Sequence, residues 1–519
     1  LPARSEMCIR DRSIGGPGVV HLLNGMYDAK MDNVPQLILA GQTDSTALGT
    51  KAFQETDISK MVDDVAVYNR QISENDKDIF GIVNEAIRTA YEKKGVAVLI
   101  LPNNLLTNKV KDTTNTPVDT APPARVAPKP RSIKKATKLI NKSKRPVMII
   151  GTGAKHAKDE VQEFIEAVKI PSIITLPAKG ILADAHPYNL GNLGKIGTKV
   201  SYQTIQDADL LIMVGTNYPY VDYLPKKNIK AIQIDTNPEN IGHRFDVNAG
   251  IIGDSKLALQ QLTDSAKHVK NRDFLNKTLE RKATWDSWMD KDKADESSPI
   301  RPERLMDAIN QVKTDDAIFS IDVGTSTVWS TRYLDLTVNN KFIVSSWLGT
   351  MGCALPGALA AKRAYPNRQV VGIAGDGAFE MVMQDFATAV QYDLPMTIFV
   401  LNNQELSFIK YEQQAAGELE YAINFTDIDL AQFAESCGGV GYTLKDPNRI
   451  DEVVEEAMAQ DRPTIVNVYV DPNAAPLPGK IVKDEAINYG KWAYRSITED
   501  KKLDLDEIPP MSTAVKRFF

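Results

Sequence analysis

The residues from 370 to 403 constrain this chain more than any other stretch. The run Val370-Val371-Gly372-Ile373-Ala374 reads as a buried strand, and Gly375-Asp376-Gly377 follows it directly. Twenty-four residues separate Gly377 from Asn402-Asn403; they hold the helical apolar set Phe379, Met383, Phe386 and Val390, then a second strand at 396–401. Strand, helix and strand at this spacing make one parallel β-α-β unit. It sets an aspartate at the carboxyl end of one strand and an asparagine at that of a neighbour, the edge where open α/β sheets take ligands. Asp376, the Asn403 side chain and a main-chain carbonyl near Glu405 are hard oxygen donors that suit Mg2+, an ion held by one or two protein groups together with phosphate oxygens. Gly375 and Gly377 let the main chain approach a diphosphate, and the helix start beyond them adds partial positive charge. An isolated Gly-Asp-Gly is a common turn and an Asn pair often caps an element. The order strand, motif, helix, strand, motif separates this example from those.

The rest of the chain follows the same alternation. Segment 13–110 offers a Gly-Gly-Pro-Gly turn (residues 15–18), a helix at 21–29, strands at 36–40 and 96–101 and a helix at 82–91. Five prolines at 111–132, with Thr and Lys and no apolar period, predict a semi-rigid linker. Four apolar runs at 146–150, 172–175, 210–214 and 231–234 predict a second parallel sheet in a domain at 133–265. The charge-dense connector 266–300, around Trp285 and Trp288, reads as a solvated helix. A third α/β domain at 301–475 opens on a helix with Leu305, Ala308, Ile309 and Val312 at i, i+3, i+4 and i+7, and its strand candidates are 318–321, 370–374 and 397–401. A tail follows at 476–519. The fold class is α/β, with three parallel-sheet domains.

Length and composition exclude more than they assign. A chain of 519 residues with 43% hydrophobic and 25% charged residues has material for several full cores, and a net charge of −6 gives no basic face for nucleic acid. Cys8, Cys353 and Cys437 are too few and too scattered for a disulfide framework or a zinc site, so the reading is a reducing, cytoplasmic setting. No run approaches the ~20 apolar residues of a spanning helix. The chain starts at Leu1, and residues 1–12 lack an apolar period, so they read as a foreign leader standing where native residues upstream of Ser13 were lost.

Taken together, the Gly-Asp-Gly and Asn-Asn motifs resemble the thiamine-diphosphate signature of the superfamily that holds acetolactate synthases, pyruvate decarboxylases and pyruvate oxidases. The resemblance implies the three-domain fold of those enzymes: pyrimidine-binding, central and diphosphate-binding. It implies thiamine diphosphate and Mg2+ held by Asp376, Asn403 and Glu405, with Gly377, Ala378, Gln404, Leu406, Ser407, Phe408 and Ile409 around the diphosphate. In the run Ser345-Ser346-Trp347-Leu348-Gly349-Thr350-Met351-Gly352, Gly349 and Thr350 join the cofactor site. Met351 stands where the family places the apolar wedge that bends thiamine; as a flexible packer, a Met could equally fill a core. Gly15-Gly16-Pro17-Gly18, followed by His21, Asn24 and Asp28, looks like the family's pyrimidine-domain loop. Phe53-Gln54-Glu55 looks like the segment that reaches a neighbouring subunit, with Phe53 near the chemistry.

The resemblance extends to a flavin and a substrate. Ile150-Gly151-Thr152-Gly153-Ala154 departs from a nicotinamide fingerprint, because His156 stands where the third glycine belongs. Asp235 ends a strand where an acid can accept from a ribose hydroxyl. Similarity to the flavin domain of pyruvate oxidases implies FAD at Gly215, Thr216, Asn217, Tyr218, Asp235, Thr236, Asn237, Pro238 and Asp254, and it runs through Arg244. Where acetolactate synthases carry a tryptophan past the Asn pair, this chain has Ser407-Phe408-Ile409-Lys410-Tyr411-Glu412, and Glu412 matches the oxidases. The string Asn24-Gly25-Met26-Tyr27-Asp28-Ala29-Lys30 is similar to the pyruvate:quinone type of Gram-positive bacteria.

The implied reaction is oxidative decarboxylation of pyruvate to acetate and CO2, with electrons passing through FAD to menaquinone or another quinone. The alternatives are an oxygen- and phosphate-dependent oxidase and a non-redox acetolactate synthase. A homotetramer is implied. A basic and aromatic tail, with Trp492, Tyr494 and Lys516-Arg517-Phe518-Phe519, suits peripheral contact at the cytoplasmic face of the membrane or docking on its own subunit. The activating glutamate of the family lies upstream of the Gly-Gly-Pro-Gly turn and finds no match in residues 1–12, so the chain as written is expected to be a poor catalyst.

Overall fold

The computed structural model describes residues 9–109, 125–267, 273–474, 483–496 and 498. They form two compact units: Leu1–Ala124 with Ser345–Thr350, and Arg125–Val344 with Met351–Phe519.

In the first unit, strands β1 (Ile9–Ser13), β2 (Gln36–Gln42), β3 (Ala66–Gln71) and β4 (Val96–Pro102) make a parallel sheet in the order β1-β2-β4-β3. β4 is the most apolar strand and lies inside the sheet, as a strand covered on both faces must. The helices Pro17–Met31 and Ile79–Lys93 pack Met26, Ala86 and Ala90 against it. Two features depart from expectation. β3 was not legible, because its residues are only half-buried and alternate in no apolar pattern. The leader does not stay outside the fold: from Ile9 it pairs with β2, Ile9 opposite Gln36 and Ser13 opposite Ala40. Strand pairing uses main-chain groups, which every non-proline residue carries, so a segment without apolar period can still complete an edge.

The second unit holds two parallel sheets. The central one consists of β5 (Pro146–Ile150), β6 (Ser172–Ile174), β7 (Leu210–Val214), β8 (Lys230–Asp235) and β9 (Ala249–Ile252), in the order β6-β5-β7-β8-β9. All five residues of β5 and all five of β7 are buried. At about 1.5–3 kcal/mol for each large apolar side chain taken from water, these strands carry much of the domain's stability. The other sheet consists of β10 (Ile318–Ile321), β11 (Lys341–Val344), β12 (Val370–Gly375), β13 (Thr397–Asn402), β14 (Val440–Leu444) and β15 (Thr464–Tyr469), in the order β11-β10-β12-β13-β15-β14. The α/β class and its three parallel sheets are therefore as expected. The linker 111–132 lies largely outside the described residues, and its last three are already helical, with Pro130 opening the helix Pro130–Ile140.

One core joins the two sheets of this unit. Val147, Ile149 and Met213 of the central sheet belong to the same buried cluster as Phe319, Ile373, Phe399 and Val466. The charged connector takes part in it, contrary to the solvated helix expected. The helix Asp273–Lys293 buries Leu275, Thr278, Trp285 and Met289, which fall on one face of a largely polar helix. Arg332 closes the junction: its guanidinium donates to the Ile196 and Gly197 carbonyls and lies 5.7 Å from the Trp285 ring centroid.

Where β5 and β7 end, two main-chain segments touch. Gly153 N–H donates to the Gly215 carbonyl (3.0 Å), and Gly215 has φ 59°. A Cβ on Gly215 would lie 2.6 Å from the Gly153 backbone. Gly215→Ala is therefore expected to cost on the order of 2–3 kcal/mol. Differential scanning calorimetry should find the melting point lowered, whereas Gly25→Ala, a helical site with open space around it, should raise stability by roughly 0.5–1 kcal/mol.

Candidate active site

In the sheet that begins at β10, the chain steps from β10 to β11 on one side and then crosses to β12 on the other. That reversal opens a crevice at the carboxyl ends of β10 and β12, where ligands of such sheets lie. Asp322 follows β10, Asp376 follows β12, and Asn403 follows β13.

Asp376 is 3% exposed and accepts three main-chain hydrogen bonds, from Gly377 (2.8 Å), Asn403 (3.1 Å) and Gln404 (2.5 Å). Burial pushes its carboxyl up to about 6, against the opposing pull of those N–H groups. No described Lys or Arg pairs with it. The two asparagines divide their work. Asn402 is buried and donates to Asn467 on β15 (3.1 Å), so it is structural. Asn403 donates its amide to Ser407 Oγ (2.6 Å), and its Oδ1 meets only the Glu405 N–H at 3.3 Å. The Glu405 carboxylate is taken by Lys410 (2.7 Å), which leaves its main-chain carbonyl as the group that can reach a cation.

The walls of this crevice are tightly specified. A Cβ on Gly377 would lie 2.5 Å from the Phe425 ring, whereas one on Gly375 meets nothing within 4 Å. Gly377 is needed for packing, and Gly375 borders open space. Gln404 sits at φ 59°, an uncommon conformation for a side-chain-bearing residue, and the segment before Phe425 holds it: Phe425 N–H donates to the Gln404 carbonyl and Leu406 N–H to that of Ile423. The single helix expected after Gly377 is three short pieces, Asp376–Glu380, Met383–Asp385 and Phe386–Gln391, broken at Val382 so that Phe379 and Phe386 are both buried. Ala378 and Ser407 are buried, Leu406 and Phe408 are half-buried, and Ile409 is 43% exposed. Glu412 lies exposed on the helix Ser407–Ala416, away from the face that buries Ser407, Lys410 and Gln414.

Met351 is half-buried and stands between Thr350 and Gly352 (φ 83°). Thr350 and Gly349 belong to the first unit. There Thr350 N–H donates to Ser345 Oγ (3.0 Å), and Ser345 Oγ donates to Asp28 (2.6 Å). Burial raises the Asp28 carboxyl above the ordinary range. His21, Asn24 and Asp28 share one face of the helix Pro17–Met31. Phe53 is 87% exposed, beside Gln54 at φ 62°, while Glu55 turns back to accept from Gly49 and Ala52.

The central sheet has its own crevice, between β5 and β7, where the Gly153–Gly215 contact lies. Thr216 offers its carbonyl to Gln233 (3.2 Å). Asp235 accepts from Asn237 N–H (2.8 Å) and Asn240 (3.1 Å), and Asn217 donates to Asn240 (3.2 Å). The Asn217 Oδ1 and Arg244 Nε atoms are buried without a partner among the described residues. Thr236 and Pro238 flank this loop. Tyr218 is 3% exposed, its hydroxyl buried without a partner among the described residues, and Asp254 caps the helix Ser255–Ser265 through Leu257 N–H while pairing with His156 (2.7 Å).

Three family models cover this architecture. The C-terminal TPP binding domain of thiamine pyrophosphate enzymes matches residues 322–468, their central domain residues 133–262, and their N-terminal TPP binding domain residues 13–61. The chain is 43% identical to the Bacillus subtilis protein YdaP, described as thiamine pyrophosphate-containing, over 100% of this chain and 89% of that one. It belongs to the thiamine pyrophosphate enzyme family. Among other members, it is 31% identical to the pyruvate oxidase of Lactiplantibacillus plantarum (97% of this chain, 84% of that one). It is also 31% identical to the acetolactate synthase large subunit of Cyanidium caldarium (90% and 83%).

Sequence reasoning passed over Asp322, the first residue of the C-terminal match. It is fully buried and accepts from Val323 (2.8 Å), Gly352 (2.8 Å) and Ala354 (3.0 Å). The available signal was an acid directly after the apolar strand 318–321. Trp492, expected among surface charges, is 4% exposed, while Tyr494 is 69% exposed; residues 516–519 lie outside the described residues. No described helix is long and apolar enough to cross a membrane.

Asp376→Ala should leave the N–H groups of Gly377, Asn403 and Gln404 unpaired, each at about 1–3 kcal/mol if it stays buried. Hydrogen exchange should then show residues 403–407 losing protection while β12 and β13 keep theirs.

Proposed function

We propose that this thiamine pyrophosphate enzyme oxidatively decarboxylates pyruvate, passing electrons through FAD to a quinone and releasing acetate and CO2. The observation that carries the reading is the pair of crevices in one compact unit. One is lined by Asp376 and Asn403 and the other by Gly153, Gly215 and Asp235. A buried carboxylate without a cationic partner, an amide oxygen with one weak contact and the Glu405 carbonyl are the donor set that Mg2+ takes beside a diphosphate. The open space at Gly375 leaves room for those phosphates. In the central domain, the unpartnered Asn217 oxygen and Arg244 nitrogen are buried polar atoms that a bound dinucleotide would satisfy.

When bound, thiamine diphosphate would add its C2 to the keto carbon of pyruvate and take up the electrons left as CO2 departs, and FAD would remove them. The chain's part is to hold and orient. Asp376 and Asn403 would hold the metal whose charge offsets the diphosphate, Met351 would press on the ring system, and Asp235 would accept from a ribose hydroxyl. Glu412 supplies a carboxylate near the substrate, and Phe53 reaches a second copy of the chain in a homotetramer. The likeness to a pyruvate oxidase and Glu412 in place of a tryptophan support oxidation over acetolactate synthesis.

Anaerobic pyruvate added to full-length protein loaded with FAD, thiamine diphosphate and Mg2+ is expected to bleach the flavin absorbance, and a quinone is expected to restore it. Recovery only with oxygen and phosphate would mean the acetyl phosphate oxidase. An unbleached flavin with acetolactate accumulating would overturn the proposal. Chelation of Mg2+ is expected to abolish the bleaching.

A further inference from the structure

The buried carboxylate of Asp322 has no described cationic partner and accepts from main-chain N–H groups. Among the donors, Val323 is its own neighbour, while Gly352 and Ala354 lie just after Met351, about thirty residues along the chain. Cys353 between them donates its thiol to the Ile321 carbonyl (3.3 Å), and Ser326 and Thr327 donate to the carbonyl of Asp322 itself. On its other side the turn abuts the Asp376 motif: a Cβ on Gly352 would lie 3.0 Å from Val382 and 3.5 Å from the Ala378 carbonyl. The turn that carries Met351 is thus held between a buried carboxylate and the first helical piece after Asp376. A charged acceptor binds N–H groups roughly twice as strongly as a neutral one.

We infer that Asp322 is a positioning residue for the reaction, its carboxylate fixing the Met351 turn so that the Met351 side chain sets the shape of the bound cofactor. The inference rests on the thiamine diphosphate reading above. Asp322 touches neither cofactor nor substrate in this role. It therefore predicts a separation between holding the cofactor, which belongs to Asp376 and Asn403, and shaping it, which belongs to Asp322 through Met351.

Asp322→Asn is nearly isosteric but turns one acceptor oxygen into a donor that faces an N–H. In the full chain loaded with thiamine diphosphate and Mg2+, the affinity for the cofactor, read by protein fluorescence, should stay within about 3-fold of the parent, because the anchor residues are untouched. The circular dichroism band of the bound aminopyrimidine should be lost, and kcat should fall on the order of 10²-fold with KM little changed, the scale of a misplacement near 1 Å. Combining Asp322→Asn with Met351→Ala should be no worse than Met351→Ala alone within about 2-fold, since both remove the same contact. Gly352→Ala disturbs the same turn without touching Asp322 and should also lose the band, which keeps the test open if Asp322→Asn fails to fold.

A retained band in either turn variant, effects that multiply in the double variant, or cofactor affinity falling in step with kcat would each overturn the inference. Failure of the unaltered chain to bind thiamine diphosphate would instead overturn the cofactor reading, and this inference with it.

Discussion

The structure depends on two buried carboxylates that receive main-chain N–H groups at adjoining strand ends. Asp322 and Asp376 are each almost fully enclosed, and each gathers N–H donors both from its own next residue and from a loop remote in sequence. Burying a carboxylate is costly unless its oxygens are satisfied, so these loops have few alternative positions. The sheet supplies the placement. Parallel strands deliver all their carboxyl ends to one edge, and the change of direction between β10 and β12 keeps that edge from being covered by a crossover. Loop geometry, crevice and acceptor set follow from this arrangement.

The central sheet repeats the plan with different contacts. There the reversal lies between β5 and β7, and a glycine contact replaces the carboxylates, so the floor of the crevice is bare main chain. A bare floor suits close approach by a large ligand, whereas acceptor oxygens suit a cation. The shared core and the Arg332 contacts with the 196–197 carbonyls hold both crevices in one body. The electron transfer proposed between the two sites would need such a fixed separation.

The fold class was legible because fully buried parallel strands read as unbroken apolar runs, as at 146–150 and 210–214. Of the strands that escaped, β1, β3, β9, β11 and β14 are sheet edges, where pairing depends least on apolar side chains, whereas β15 is an interior and almost wholly buried strand that was passed over although its residues Thr464–Tyr469 are mostly β-branched or apolar. The connector helix misled because its charge density hid a narrow apolar face through Leu275, Trp285 and Met289. At the site, Asp376 and Asn403 could be named because they stand in one local unit, and the structure sets the Asn403 N–H on Asp376. Asp322 carried only the weaker signal of an acid directly after an apolar strand, since no second motif stands beside it in the chain and its donors are backbone groups, most of them on a distant loop, which leave no letter in a sequence. For the same reason the roles of Asp254 and Tyr218 in capping and core packing were hidden: each depends on what the rest of the domain brings beside it.

The last strand of the diphosphate sheet does not take an edge. β15 inserts between β13 and β14, and Asn467 on it accepts from Asn402, the residue directly before the proposed metal-binding asparagine. A nascent chain leaving the ribosome therefore exposes β13 as an open edge until more than sixty residues beyond Asn402 have been made. The loop that bears Asn403 gains the support of β15 late in synthesis, and until then β13 is the kind of unpaired edge that invites association with other chains.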